Sequence, residues 1–189
     1  ECVFSCLPHG ASAAVVPPLL DGGCRVVDFS ADYRLNDPAV YAEWYGLKHT
    51  DADRLGKVVY GLPELFRAGI PGAKLVANPG CYPTGFLALV RPLRERGRLP
   101  EGFPVTVHAV SGYSGGGRKM IESFEQPTPG ARPQAYGDYG LTLAHKHVGE
   151  MRQHGLLAHT PLFAPSVGYF RQGMLVHVPL QTSALPRAA

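Results

Sequence analysis

Short apolar runs alternate with stretches of helical character through the first eighty residues, and glycine or proline marks most of the junctions. Cys2-Val3-Phe4-Ser5-Cys6-Leu7 reads as a buried strand, stopped by Pro8-His9-Gly10. Residues 11–20 read as a helix that Pro17 and Pro18 shorten or kink. Arg25-Val26-Val27-Asp28-Phe29 is a second strand. Asp37 is placed to cap a helix that begins at Pro38 and runs to Tyr45. Val58-Val59-Tyr60 and Lys74-Leu75-Val76-Ala77 follow as two more short strands. Strands separated by helices predict a parallel sheet with helices on its faces. The 23 glycines and 18 prolines exclude a helical bundle.

The texture changes after Cys81. Phe86, Leu87, Leu89, Val90 and Leu93 recur at helical spacing and predict an amphipathic helix over 82–96. Longer strands are predicted at 104–110, 160–168 and 174–180. The expected organisation is α/β over residues 1–80, then an α+β unit with a more antiparallel sheet over 81–189. There is no internal repeat and no low-complexity tract.

Hydrophobic residues make up 45% of the 189 and charged residues 17%, enough to bury a core. A formal charge of +3 suits an enzyme of an anionic substrate and is too small to indicate nucleic acid. No apolar run approaches the roughly 18–20 residues of a membrane helix. The four cysteines, Cys2, Cys6, Cys24 and Cys81, form no Cys-x-x-Cys pair, which points to free thiols in a reducing, cytoplasmic setting. The chain opens at Glu1 inside an apolar stretch, as a piece of something longer would.

Chemistry concentrates in three places. In Asn78-Pro79-Gly80-Cys81-Tyr82-Pro83-Thr84 a strand ends, the chain turns, and a helix begins. Cys81 then sits at the positive end of a helix dipole, which favours a thiolate; the other reading is a small buried hydrophobe. His145-Lys146-His147-Val148-Gly149-Glu150 offers a group able to exchange a proton near neutral pH. The two rings point the same way if the segment is extended and diverge if it is helical. Glu150 would orient a ring or bind a cationic group. A metal lacks further ligands nearby, and two solvated histidines remain the plain alternative. Ser111-Gly112-Tyr113-Ser114-Gly115-Gly116-Gly117-Arg118-Lys119 is a glycine-rich turn between strand and helix, either a phosphate cradle or a simple turn. It misses the lysine and hydroxyl of a P-loop. Arg118 and Arg171 are candidate anion ligands. His9, His49, His108, His154, His159 and His177 read as isolated surface or core residues.

These stretches, with Leu7-Pro8-His9-Gly10, Asp28-Phe29-Ser30-Ala31-Asp32-Tyr33-Arg34 and Val59-Tyr60-Gly61-Leu62-Pro63-Glu64, run in one order across nearly the whole chain. In that order the chain resembles the N-acetyl-γ-glutamyl-phosphate reductases of the aspartate-semialdehyde dehydrogenase superfamily. The resemblance implies part of a Rossmann-type parallel sheet, followed by a mixed-sheet catalytic domain like that of glyceraldehyde-3-phosphate dehydrogenase. It implies Cys81 as nucleophile and His145 as acid/base group. Arg118, His147 and Glu150 fall at the substrate, and Leu7, Pro8, Ser114, Gly115 and Gly116 at NADP. It also implies an acyl phosphate substrate, a homo-oligomer, and no metal, membrane or nucleic-acid partner.

Two departures are expected to matter. The family's glycine-rich dinucleotide loop has no counterpart here, and its last helix is missing, so the chain corresponds to the middle of the enzyme. It is then expected to keep nucleophile and base while binding NADP weakly or not at all. Gly149 stands where proline is expected, loosening the turn that aims His147.

Overall fold

The computed structural model describes residues 1–126 and 135–186. The first sheet is built from β1 (Cys2–Ser5), β2 (Arg25–Asp28), β3 (Val59–Tyr60) and β4 (Leu75–Ala77), with α1 (Ser12–Asp21), α2 (Pro38–Tyr45) and α3 (Pro63–Phe66) between them. All its pairings are parallel, in the order β1-β2-β4-β3. Its four carboxyl ends therefore share one edge, at Ser5, Asp28, Tyr60 and Ala77. In open α/β sheets that edge is where ligands bind.

α4 (Cys81–Glu95) leads from β4 into the second sheet, formed by β5 (Thr106–Gly112), β6 (Tyr136–Asp138), β7 (Leu162–Gly168) and β8 (Met174–His177). Its order is β6-β7-β5-β8, with β5 and β7 parallel and the two outer pairings antiparallel. α5 (Arg118–Glu125) and α6 (His147–Gly155) complete the described residues. β6 was not predicted; three residues of Tyr-Gly-Asp carry no strand pattern, and only pairing with β7 makes them one.

One apolar cluster joins the two halves. Phe86, Leu87 and Val90 of α4, Val148 and Met151 of α6, and Phe163 of β7 are buried together with Tyr60 and Leu62 from the first half. Each such side chain contributes about 1.5–3 kcal/mol when taken from water. Leu89, on the predicted apolar stripe, is instead 47% exposed. A second cluster, around Val16, Val26, Leu55 and Leu75, holds α1 against the first sheet.

Two expectations about this half need correction. β1 is not buried: it is an edge strand, and Cys2 and Phe4 are exposed. Among the described strands it pairs only with β2. α1 is neither shortened nor broken by Pro17 and Pro18. Ala13 and Val16 dock the helix against the first sheet and hold its span. The α2 start is as predicted: Asp37 accepts from Ala39 N–H at 2.7 Å, with Pro38 in the first turn.

The loop after β2 ties the layer together through Asp32, which is fully buried. One oxygen accepts from Gly10 N–H at 2.7 Å and Tyr41 Oη at 2.8 Å, the other from Ala13 N–H at 3.0 Å. Removing it orphans three donors at roughly 1–3 kcal/mol each. Asp32→Ala should therefore lose more than about 3 kcal/mol in urea unfolding, against about 1 kcal/mol for Asp37→Ala at its exposed cap. Equal losses would contradict this ranking.

Candidate active site

β4 ends at Ala77, and the chain turns through Asn78-Pro79-Gly80 into α4. Gly80 is the N-cap residue and Cys81 the first helical one. The Thr84 side chain donates to Gly80 O at 2.9 Å, closing the first turn. Asn78 N–H donates to Asp28 O at 2.8 Å, which fixes the turn to β2. Cys81 is exposed at the mouth of this turn.

The turn is fastened from behind by Glu150. This carboxylate has no solvent exposure. Its Oε1 accepts from Gly80 N–H at 2.7 Å and from Tyr60 Oη at 2.5 Å. Arg34 Nη1 lies 3.6 Å from Oε2. Arg34 also donates to Asn78 O at 2.7 Å and Phe29 O at 2.8 Å. Burial pushes the Glu150 carboxyl up, and Arg34, Tyr60 and Gly80 oppose that. Glu150, grouped by resemblance with the substrate contacts, is thus engaged inside the protein and has no face open to a ligand.

His145 and His147 meet although α6 begins at His147. Their ring centroids are 4.8 Å apart, and His147 N–H donates to His145 Nδ1 at 3.2 Å. Tyr82, Tyr139 and Phe163 pack around His145 with centroids 5.9, 6.0 and 5.1 Å away. His147 is buried behind Gly80: a Cβ on that glycine would stand 2.9 Å from His147 Nε2. Gly149 also lies at a close approach. A Cβ there would collide with Trp44 at 2.5 Å, so the absent side chain lets α6 close onto α2.

The thiol departs from expectation. Amide N–H groups of Tyr82 and Cys81 pull its pKa down as a helix start should, but the protein packed around this otherwise exposed residue desolvates the thiol more strongly, and the net shift is upward. The histidines are neutral. Burial and then Lys146 push His145 down to about 4, burial foremost pushes His154 down to about 4, and burial with His145 pushes His147 well below its usual value.

Other predicted residues lie apart from this cluster. Arg118 is exposed on α5 and pairs with Glu122 at 2.7 Å, and Arg171 pairs with Glu125 at 3.5 Å. No described contact ties either to Cys81. Leu7 and Pro8 are exposed beyond the carboxyl end of β1, and Ser114, Gly115 and Gly116 form a 3-10 turn after β5. Leu7 and Pro8 offer exposed apolar surface and the turn offers glycine backbone, groups a dinucleotide can use. The diphosphate end does not fit at the start of α1, where Asp32 already holds the N–H groups of Gly10 and Ala13.

Several histidines read as isolated are not. His49 lies 2.7 Å from Asp32 O, and His154 stacks on Tyr60 at 3.6 Å and lies 2.8 Å from Arg34 O. His108 faces His177 at 6.0 Å. Arg34 and Tyr60 carried no role on sequence grounds. Their one signal is position, since each stands at or shortly after the carboxyl end of a parallel strand.

Neutral buried histidines make stability depend on pH. Unfolded, these rings take up protons near 6.5; folded, they do so only near or below about 4. The unfolded chain binds more protons in between, so stability falls as pH drops below about 6.5. Glu150, shifted up, acts in the opposite sense but is one group against three. The urea midpoint should fall from pH 7 to pH 5, by up to about 1.4 kcal/mol per unit for each uncompensated ring. His154→Gln should flatten that slope; a wild-type midpoint unchanged over the range would contradict it.

Among the described residues no helix is long and apolar enough to cross a membrane. Residues 1–73 match the family model for the semialdehyde dehydrogenase NAD binding domain, and 81–188 that for the semialdehyde dehydrogenase dimerisation domain. An N-acetyl-γ-glutamyl-phosphate reductase of Rhizobium rhizogenes is 46% identical over 192 aligned residues, covering 100% of this chain and 56% of the relative. One from Burkholderia cenocepacia is 42% identical, covering 98% and 54%. The chain thus spans just over half the length of the curated relatives it matches. The crystal structure of aspartate semialdehyde dehydrogenase II from Vibrio cholerae superposes with a TM-score of 0.65 at 15% identity, over 94% of this chain and 54% of that one. With both of its segments matched and relatives similar along its whole length, the chain belongs to the semialdehyde dehydrogenase family.

Proposed function

We propose that this chain carries the catalytic centre of an NADPH-dependent reductase that converts N-acetyl-γ-glutamyl phosphate to the semialdehyde, a step of arginine biosynthesis in the cytoplasm. One observation carries the reading. The lone cysteine on a helix start, Cys81, is held in a turn clamped by Glu150, and the same segment supplies two neutral histidines. The names of the relatives support the substrate.

In this reading residues 1–80 belong to the dinucleotide-binding unit and 81–189 to the catalytic unit. The Cys81 sulfur attacks the acyl carbon as its proton passes to the neutral His145, the C–O bond to phosphate breaks, and a thioester remains. NADPH, when bound, would supply hydride chemistry at that carbon, and Leu7, Pro8, Ser114, Gly115 and Gly116 are the residues that would hold it. His145 is the acid/base group. Holding the proton taken from the thiol, it gives that proton to the oxygen as the oxygen becomes anionic, takes it back as the C–S bond breaks, and returns it to the Cys81 sulfur. His147 and Glu150 hold the turn and the ring in place, and Arg118 is the candidate contact for a distal carboxylate. The dimerisation-domain match supports a homo-oligomer.

Mixing the chain with N-acetyl-γ-glutamyl phosphate should release phosphate and add one acyl group to Cys81, read by peptide mass spectrometry. Cys81→Ser should abolish both. In a complete enzyme His145→Asn should slow turnover by about 10²–10⁴-fold, the usual worth of a positioned acid/base group. Acyl transfer that survives Cys81→Ser, or unchanged turnover in His145→Asn, would overturn the assignment.

A further inference from the structure

Near the thiol, two side chains face each other without satisfying each other. His9 follows β1 and Lys146 precedes α6, and Lys146 Nζ lies 2.9 Å from His9 Nε2. The other ring nitrogen of His9, Nδ1, accepts the Ala31 N–H at 3.0 Å. A neutral imidazole has one acceptor nitrogen and one N–H. Since Nδ1 is the acceptor, Nε2 carries the hydrogen. An imidazole N–H and an ammonium therefore point at one another, two donors with no acceptor between them. The surroundings add positive charge, because Arg34 acts on both groups. Lys146 stands in sequence between His145 and His147, and His147 packs against Gly80, the residue before Cys81.

We propose that His9 and Lys146 together form the binding site for the phosphoryl group of the acyl phosphate. A tetrahedral oxyanion presents adjacent oxygens, so it can accept from both donors at once and resolve their conflict. An ammonium serves as a point charge for phosphate, and the imidazole N–H gives the contact its direction. His9 is exposed, so the ligand can enter. In an acyl phosphate a single oxygen separates phosphorus from the carbon under attack. A phosphate held here presents that carbon to Cys81. When the C–O bond breaks, its electron pair stays with the phosphate, and the two donors meet the added charge. The two ligands lie 137 residues apart, on the first sheet's edge and on the approach to α6, so the site exists only while α6 is docked. That the phosphate belongs to an acyl phosphate rests on the reductase reading; the donor pair itself does not.

Inorganic phosphate titrated into the chain should shift the His9 Cε1–H resonance and broaden the ³¹P signal. Lys146→Met and His9→Phe should each weaken phosphate binding by about tenfold or more, the worth of one charged hydrogen bond. Lys146→Arg should restore most of it, with near-UV circular dichroism showing that each variant is folded. If a variant does not fold, the wild-type His9 shift still decides. Competition by acetyl phosphate supports the assignment. Displacement by oxidised dinucleotide but not by acetyl phosphate, or equally well by acetate, overturns it. So does a silent His9 resonance together with a Lys146 that acylates readily at neutral pH, the mark of a neutral amine accepting from His9. Acylation of Cys81 with no phosphate effect at His9 sinks this site while leaving the reductase reading intact.

Discussion

A single buried carboxylate determines where Cys81 stands. Glu150 comes from α6, yet its contacts are Tyr60 at the end of β3, Gly80 in the turn before Cys81, and Arg34 in the loop after β2. A charge with no exposure is costly unless it is paired and hydrogen-bonded, and replacing such a pair by apolar groups often gains stability. Its presence is therefore better explained by register than by strength. Three segments converge on this one carboxylate: Tyr60 and Gly80 donate to Oε1, and Arg34 stands 3.6 Å from Oε2. Because His145 and His147 open the same helix, the docking that sets the cysteine turn also sets the rings.

The loop after β2 supports this arrangement from the other side. Asp28, Ser30 and Asp32 are buried with their oxygens engaged: Asp28 accepts from the hydroxyls of Ser12 and Ser30, and Asp32 from the start of α1 and from Tyr41. Arg34 can reach both Glu150 and Asn78 O only because this loop is immobilised. The same network decides what the first strand–helix turn cannot do. Amides that would otherwise be free to meet a diphosphate are spent on an internal carboxylate. The turn is a structural joint, and its exposed residues, Leu7 and Pro8, are left to offer an apolar surface.

Much of this was legible where local rules dominate. The Asp37-Pro38 cap, the strands of the first sheet and the start of α4 follow from turn chemistry and apolar runs, and they stand within a residue or two of their predicted places. Where tertiary contacts decide, the sequence was silent or misleading. The exposure of β1 depends on what lies beside it, and the short β6 exists only through its partner. The thiol pKa turns on burial, which a helix-dipole argument omits. The histidine question could not be answered from spacing, since the rings meet across a helix start that neither an extended nor a helical pattern describes. His9 read as isolated because its partners, Ala31 and Lys146, lie 22 and 137 residues away.

The tightest constraint on the site is steric. A Cβ at Gly80 would stand 2.9 Å from His147 Nε2 and 3.0 Å from Glu150 Oε2, and one at Gly149 would meet the Trp44 ring at 2.5 Å. Neither glycine has a positive φ, so backbone freedom is not what these positions require. They require the absence of a side chain. At Gly80 the missing Cβ lets a carboxylate and an imidazole reach the backbone of the cysteine turn. At Gly149 it lets α6 settle onto α2 deeply enough for that reach. A methyl group at either position would have to be accommodated by moving α6 outward, and an outward shift of a few tenths of an ångström lengthens the Glu150 bonds to Tyr60 and Gly80 together. The geometry of the cysteine turn is thus set by two places where the chain has no side chain and one place where it buries a charge, and each is intelligible only in the presence of the other two.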